Sequence, residues 1–446
     1  MFVRPRAAAL VALGTWMAWS SVASAQNDVS LNRAGSGARA AGMGNAFIAV
    51  SDDGTAASWN PAGLAQLRQP EFSLVYGLSD RHLQLSALRS TDDHFAYTAH
   101  GTGDTSNSID FASAAMPFTI AGKPLTVQGG WQRLYQLSGQ VGGSTRRVGL
   151  LDASAPPVAI DRLDRLEGGI DVLSVAGAVK LTGHVALGTS VNFWRGDWNE
   201  TVTLVEEPGP SGSTAFFSAH SEDRVRGTNA ALGLLLTFPS WSAGIVHHWP
   251  FWASYSTNGY RRSSEAPEGR VNVTDARFRF PRSFGVGGAG RLPRRWTIAA
   301  SLTYDDWTDA VIDGVPGIPP FNFLDGMAPE LTTTRDTVSL NVGAEHLVVL
   351  DGYVIPLRLG FGWEPQGGMD PIVRDPIDYK LASVGAGYNT NTFKLDAAVQ
   401  LRWAGFDGTA PFSVARLIEG PRPPDAIGHA SGREWRVKVS AIYRLP

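Results

Sequence analysis

The feature that most limits what this chain can fold into is alternation. From residue 71 onward, apolar side chains take turns with small or polar ones in short runs. In Glu71–Ser79, Phe72, Leu74, Tyr76 and Leu78 share one face. In His184–Trp198, Val185, Leu187, Val191 and Phe193 lie opposite Ala186, Gly188, Ser190 and Asn192. A period of two places successive side chains on opposite faces of a strand, so each run has one greasy side. Tight junctions (Thr182-Gly183, Pro239-Ser240, Leu292-Pro293, Asn389-Thr390-Asn391) alternate with long polar stretches at 139–168, 206–222, 251–268, 309–333, 365–378 and 404–432. Those stretches are expected to be outer loops. Short turns at one end and long loops at the other are the habit of a membrane barrel.

Two all-β architectures share this alternation. A soluble sandwich buries its apolar face against a second sheet, whereas a membrane barrel turns that face to lipid and its polar face to the lumen. Here the polar face carries Glu345, Arg358, Lys394, Asp396, Gln400 and Arg402 at mid-strand, opposite Leu357, Leu359, Phe361, Leu395, Val399 and Leu401. Residues 1–25 read as a secretory signal peptide, with Arg4 and Arg6 before an apolar core and Ala23-Ser24-Ala25 before Gln26. The apolar run is too short to span a bilayer, and no later stretch is long enough for a membrane helix. The 446 residues contain no cysteine, which removes disulfides and thiolate metal sites. A net charge of −3, more negative once the two arginines of the leader are gone, argues against a nucleic-acid partner. Export, loop asymmetry, strand number and aromatic strand ends together favour an all-β, transmembrane antiparallel β-barrel. Strict run-counting gives about sixteen strands, an even number as such barrels require.

Ahead of the runs lies Gly37–Leu67, GARAAGMGNAFIAVSDDGTAASWNPAGLAQL. Asp52 or Asp53 can cap one short turn, and Asn60-Pro61 marks a helix start with Asn as cap and Pro at the first helical position. Two or three helices this short cannot stand alone in water. The segment therefore has to pack inside something larger, as a short helical N-terminal plug. The expected organisation is a signal peptide over 1–25, a plug over 26–70 and a transmembrane barrel over 71–446.

The wording of the plug resembles the N-terminal hatch of the FadL/TodX family, outer-membrane transporters of long-chain fatty acids and other hydrophobic compounds. The resemblance extends to Phe280-Pro281-Arg282-Ser283-Phe284-Gly285-Val286-Gly287, Asp305-Asp306-Trp307-Thr308, Gly343-Ala344-Glu345 and Ile355-Pro356-Leu357-Arg358-Leu359-Gly360-Phe361 with Glu364-Pro365. It covers essentially the whole mature chain. One departure is the end, Tyr443-Arg444-Leu445-Pro446, where such barrels finish on Phe. The resemblance implies fourteen strands, the excess being a long strand near Leu83–Ala99 read as two. It also implies a monomer in the outer membrane of a Gram-negative bacterium, built by the barrel-assembly machinery. A hydrophobic ligand would enter from outside and leave sideways through a strand kink into outer-membrane lipid. Some chains with similar wording act instead as adaptors or anchors for secreted proteins, and that alternative stays open here.

By the same resemblance, Asn60, Pro61 and Ala62 shape the ligand path, although Asn60 also serves simply as a cap. Gly42 and Gly44 either permit close approach of plug to wall or simply serve a turn. Glu345, Arg358, Lys394 and Arg402 should face the lumen, either as anchors for a carboxylate headgroup or, the favoured reading, as ion pairs bracing plug to wall. Trp131, Trp194, Trp249, Trp296, Trp363 and Trp403 are expected in the interfacial girdle. No catalytic constellation, cofactor or metal site is expected. The nine histidines are scattered, and the adjacent His247 and His248 on a strand must point to opposite faces.

Overall fold

The computed structural model describes residues 35–445 apart from 90–94, 102, 121, 138, 150–157, 207–213, 265–266, 370–374 and 410–426. The signal peptide read from the sequence lies outside the described residues. The barrel strands are β1 (Glu71–Arg89), β2 (Phe95–Gly101 and Gly103–Ile120), β3 (Lys123–Gln136 and Gly139–Gly149), β4 (Val158–Lys180) and β5 (Val185–Glu206). They continue with β6 (Ala215–Thr237), β7 (Trp241–His248 and Phe251–Ser263), β8 (Gly269–Phe280 and Ser283–Leu292), β9 (Trp296–Asp305) and β10 (Thr337–Leu350). The last four are β11 (Tyr353–Met369), β12 (Pro376–Asn389), β13 (Phe393–Thr409) and β14 (Ile427–Arg444). Each pairs antiparallel with the next, and β14 returns to β1 from Glu71↔Arg444 to Arg89↔Ile427. The result is a closed barrel of fourteen strands.

The two excess runs of the sequence disappear by merging. Glu71–Ser79 and Leu83–Ala87 are both β1, while Phe95–Ala99 and Ile109–Ala115 are both β2. The long polar stretches differ more from expectation. Most of 139–168, 206–222 and 251–268 is strand, because β3 to β8 continue well past their apolar bands. Outside the lipid-facing band neither face has to be apolar, so the period-two signal fades while the ladder goes on. β7 is interrupted at Trp249-Pro250 and β8 at Pro281-Arg282, where a proline removes a ladder donor. The two breaks face each other, between the rungs His248↔Ser283 and Phe251↔Phe280.

The outward face carries the greasy residues of the runs. Phe72, Leu74, Ile298, Leu302, Leu357, Leu359 and Phe361 are all exposed. Exposed apolar side chains on every side of a closed barrel need lipid around them. No helix among the described residues is long and apolar enough to cross a membrane. Trp249, Trp296, Trp363 and Trp403 lie on the exposed surface, as a girdle requires. Trp194 does not. It is only 4% exposed and faces inward, because its strand neighbours Asn192 and Gly196 leave room on the lumen side for a large ring.

Candidate functional site

The N-terminal segment fills one part of the lumen. It holds one short α-helix, α1 (Ala38–Gly42), and two 3-10 turns, Ala56–Ser58 and Pro61–Gln66. Asn60 adopts an extended backbone and its side-chain oxygen accepts from the Ala62 N–H at 3.1 Å. Its amide donates to the carbonyls of Leu234 on β6 (3.1 Å) and Ile48 (3.3 Å). Asn60 is thus a cap and a wall contact together. Asp53 accepts from the Thr55 N–H (2.9 Å) and hydroxyl (2.6 Å).

The wall meets the plug with short polar side chains that donate to plug carbonyls. Asn341 donates to Gly44 (2.7 Å), Ser383 to Gly42 (3.1 Å), Gln400 to Ala41 (3.0 Å), Ser242 to Ala49 (2.8 Å) and Gln128 to Gly54 (2.6 Å). Glycines let the two backbones touch. Gly44 has φ +61, and a side chain there would sit 2.7 Å from the Phe361 nitrogen on β11. Gly42 lies against Gly385 and Arg358. Asn60, Pro61 and Ala62 rest on wall glycines to which the sequence reading gave no role: a Cβ on Gly188 would stand 2.4 Å from the Ala62 nitrogen, and one on Gly233 2.0 Å from the Asn60 oxygen. Nothing in a single sequence separates these glycines from the others scattered through the strands.

Charged residues concentrate on the β10–β14 side. Glu345 and Arg358 face each other across the β10–β11 ladder and bond at 2.7 Å. Arg358 also donates to Asp396 at 2.7 Å, and Arg39 of the plug grips both oxygens of Glu345 at 3.0 Å. Arg39 further pairs with Asp52. Arg402, almost fully buried, donates to Glu364 (2.9 Å) and Glu434 (2.7 Å) and lies 4.4 Å over the Tyr379 ring. Lys394 acts electrostatically on Asp53 and Glu71. Burial alone would raise the Asp53 carboxyl, but Lys394 and Arg39 outweigh it and hold the group below its ordinary range.

The opposite side, β3 to β8, holds a large apolar cluster, with Glu200 and Asp223 the buried carboxylates on its strands. Trp194, Phe251 and Phe280 form a triangle of rings 4.9–5.0 Å apart, and Phe278 packs 4.1 Å from Phe280. The segment after β9 joins them. It forms two rungs with β8, Arg277↔Asp313 and Phe278↔Ile312, and buries Trp307, Ile312, Phe321 and Leu324 in the same cluster. The side chains of Asn322 and Asp325 tie this segment to itself: Asn322 donates to the Trp307 and Thr308 carbonyls (3.1 and 3.2 Å), and Asp325 accepts from the Thr332 hydroxyl and the Thr333 N–H (2.6 Å each). The sequence reading took it for an outer loop, but its apolar residues turn inward.

One seam of the wall is incomplete. Among the described residues, the β2–β3 ladder runs from Ile120↔Lys123 to Phe111↔Gln132 and next appears at Gly101↔Gly143. Between those rungs, the described residues of β2 pair with β1 and those of β3 with β4. A cavity of about 120 Å³ lies at this gap, bordered by Ser106, Ser108 and Asp110 on β2 and by Gln132, Arg133 and Gln136 on β3. The charges at its rim are matched: Lys438 with Asp110 (3.1 Å), Arg436 with Glu434 (2.8 Å) and Arg133 with Asp171. Tyr135 and Leu137, at the β3 edge of the gap, belong to the apolar cluster. The greasy interior thus reaches the break in the wall.

Among the described residues no three potential metal ligands come together. No protein-family model matches the sequence, and no curated protein matches it. Solved structures do match. A Pseudomonas aeruginosa FadL homologue is 16% identical with a TM-score of 0.59, covering 93% of this chain and 99% of its own. The Ralstonia pickettii toluene transporter TbuX is 14% identical, TM-score 0.56, covering 93% and 100%. The P. putida toluene transporter TodX is 12% identical, TM-score 0.58, covering 93% and 99%. The chain thus shares the β-barrel fold of these FadL/TodX-type proteins.

Proposed function

We infer that this barrel carries hydrophobic small molecules across the outer membrane by passive diffusion and releases them sideways through the β2–β3 gap. The observation that carries this reading is the aromatic cluster that ends, at Tyr135 and Leu137, on the edge of the gap. An apolar solute gains nothing from a water-filled pore and moves most readily between greasy surfaces. The similar structures are a FadL homologue and two toluene transporters, which supports a hydrophobic cargo such as a monoaromatic hydrocarbon or a long-chain fatty acid. The plug blocks a straight aqueous route, and Asn60, Pro61, Ala62, Gly42 and Gly44 seat it against the wall. Glu345, Arg358 and Arg402 brace that seat, since each is committed to partners of opposite charge.

An adaptor role for secreted proteins would be served by a lumen sealed all round by such ion pairs. The fully buried pairs, those of Arg358 and Arg402, lie on the β10–β14 side, while β3 to β8 carry the aromatic cluster, which favours transport. The test is uptake of labelled toluene and labelled hexadecanoate by cells with the protein, without it, and with Asn60→Ala. Uptake should fall when the protein is deleted and change with Asn60→Ala. Equal uptake in the deletion would overturn the reading.

A further inference from the structure

On the outside of the barrel, directly below the gap, the lipid-facing wall is concave. Leu74 on β1 pairs with Ala441 of β14 on one side and with Ala112 of β2 on the other; Ala112 pairs with Trp131 of β3, and Trp131 with Leu173 of β4. These residues form one outward row, one rung from Phe111↔Gln132, where the β2–β3 ladder stops. In this row and the next, where Phe72, Ala114 and Gly129 align, Ala112, Gly129 and Ala441 are small, while Phe72, Trp131 and Leu173 stand up around them. They border a shallow, open groove of about 600 Å³ lined mostly by apolar surface. That is within the roughly 300–1,000 Å³ typical of small-molecule sites.

We propose that this groove is an exit site, binding the alkyl chain or aromatic ring of the transported molecule as it leaves the gap and before it disperses in the bilayer. The proposal rests on lateral release as read above. The gap opens one rung above the groove, so a molecule passing out between β2 and β3 meets this surface first. Its chemistry fits: no charged side chain borders the groove, whereas charged pairs rim the gap. A linear chain or single ring slides into such a trough without leaving a polar group unsatisfied.

Gly129 makes the site testable without unfolding the barrel, because a Cβ added there meets nothing within 4 Å. The chain has no cysteine, so Leu173→Cys on the groove rim and Leu302→Cys on the far outer wall each give one labelling position. Both exposed side chains face lipid. Each full-length variant is labelled with bimane, placed in phospholipid vesicles, and titrated with 1-bromododecane as quencher. Quenching at position 173 should be several-fold stronger than at position 302, and adding Gly129→Leu should bring the two together. Equal quenching at both positions, or no effect of Gly129→Leu, overturns the proposal. A parallel titration with brominated phospholipid should quench both positions alike. Stronger quenching at 173 by that lipid would mark the groove as an ordinary acyl-chain site and also overturn it. Because the measurement is at equilibrium it needs no flux: absent uptake with selective quenching fails the transport reading, and normal uptake without selective quenching fails this one.

Discussion

Asn60 shows how much a single side chain does at the plug. Its oxygen caps the Pro61–Gln66 turn and its amide bonds the Leu234 carbonyl on the wall. Asn60→Ala removes both, and the lost cap alone costs about 0.5–2 kcal/mol; the thermal midpoint of the barrel in detergent should fall accordingly. Arg358→Met is expected to be worse, roughly 3–5 kcal/mol, since it leaves Glu345 and Asp396 buried without their shared cation. Chemical denaturation of the folded barrel measures it. Asp53 gives a pH dependence. Its folded-state value is depressed, so its contribution is present above the unfolded value of about 3.9 and lost as pH falls through the lower folded value. Asp53→Asn should flatten that acid limb of the stability profile. The Asn cap and the inward side of Glu345 and Arg358 were legible from the sequence, because residue type and strand period fix them; the partners of Arg402 and the grip of Arg39 on Glu345 were not, since no local pattern sets which strands and plug residues meet. Trp194 was not. Period two says that a ring lies on one face or the other, and a tryptophan suits a lipid interface as well as a packed lumen.

At the scale of elements, the tight turns and the apolar bands of the strands were readable, and the upper ends were not. Beyond the bilayer a strand no longer needs one greasy face, so 139–168 and 251–268 read as loops although β3, β4 and β7 run through them. The segment after β9 misled for a related reason: Pro316, Pro319 and Pro320 mark it as irregular, and no local pattern says that Trp307, Ile312 and Phe321 turn inward. Two rungs to β8 make it a candidate gate over the aromatic cluster. Register partners in an antiparallel ladder lie about 4.5–5.5 Å apart at Cα, which a disulfide can bridge. Arg277→Cys with Asp313→Cys should therefore lock the segment, slowing uptake of labelled toluene when oxidised and restoring it on reduction. Identical uptake in both states would mean that the segment never moves aside.

The whole molecule is an asymmetric tube. One side of its lumen is spent on charged contacts that hold the plug, the other on aromatic rings, and the wall is broken where the rings arrive. A closed barrel forms all its wall hydrogen bonds; the missing β2–β3 rungs are tolerated where polar side chains border the break. The central claim is that cargo leaves through that break. The most direct measurement is uptake of labelled toluene and hexadecanoate by cells carrying Ser108→Trp with Gln136→Trp, two bulky rings set into the gap, with a native-like heat-modifiable band on gels as the folding control. Uptake should drop to the level of cells lacking the protein. Uptake at the wild-type rate through the blocked, folded barrel would contradict lateral release.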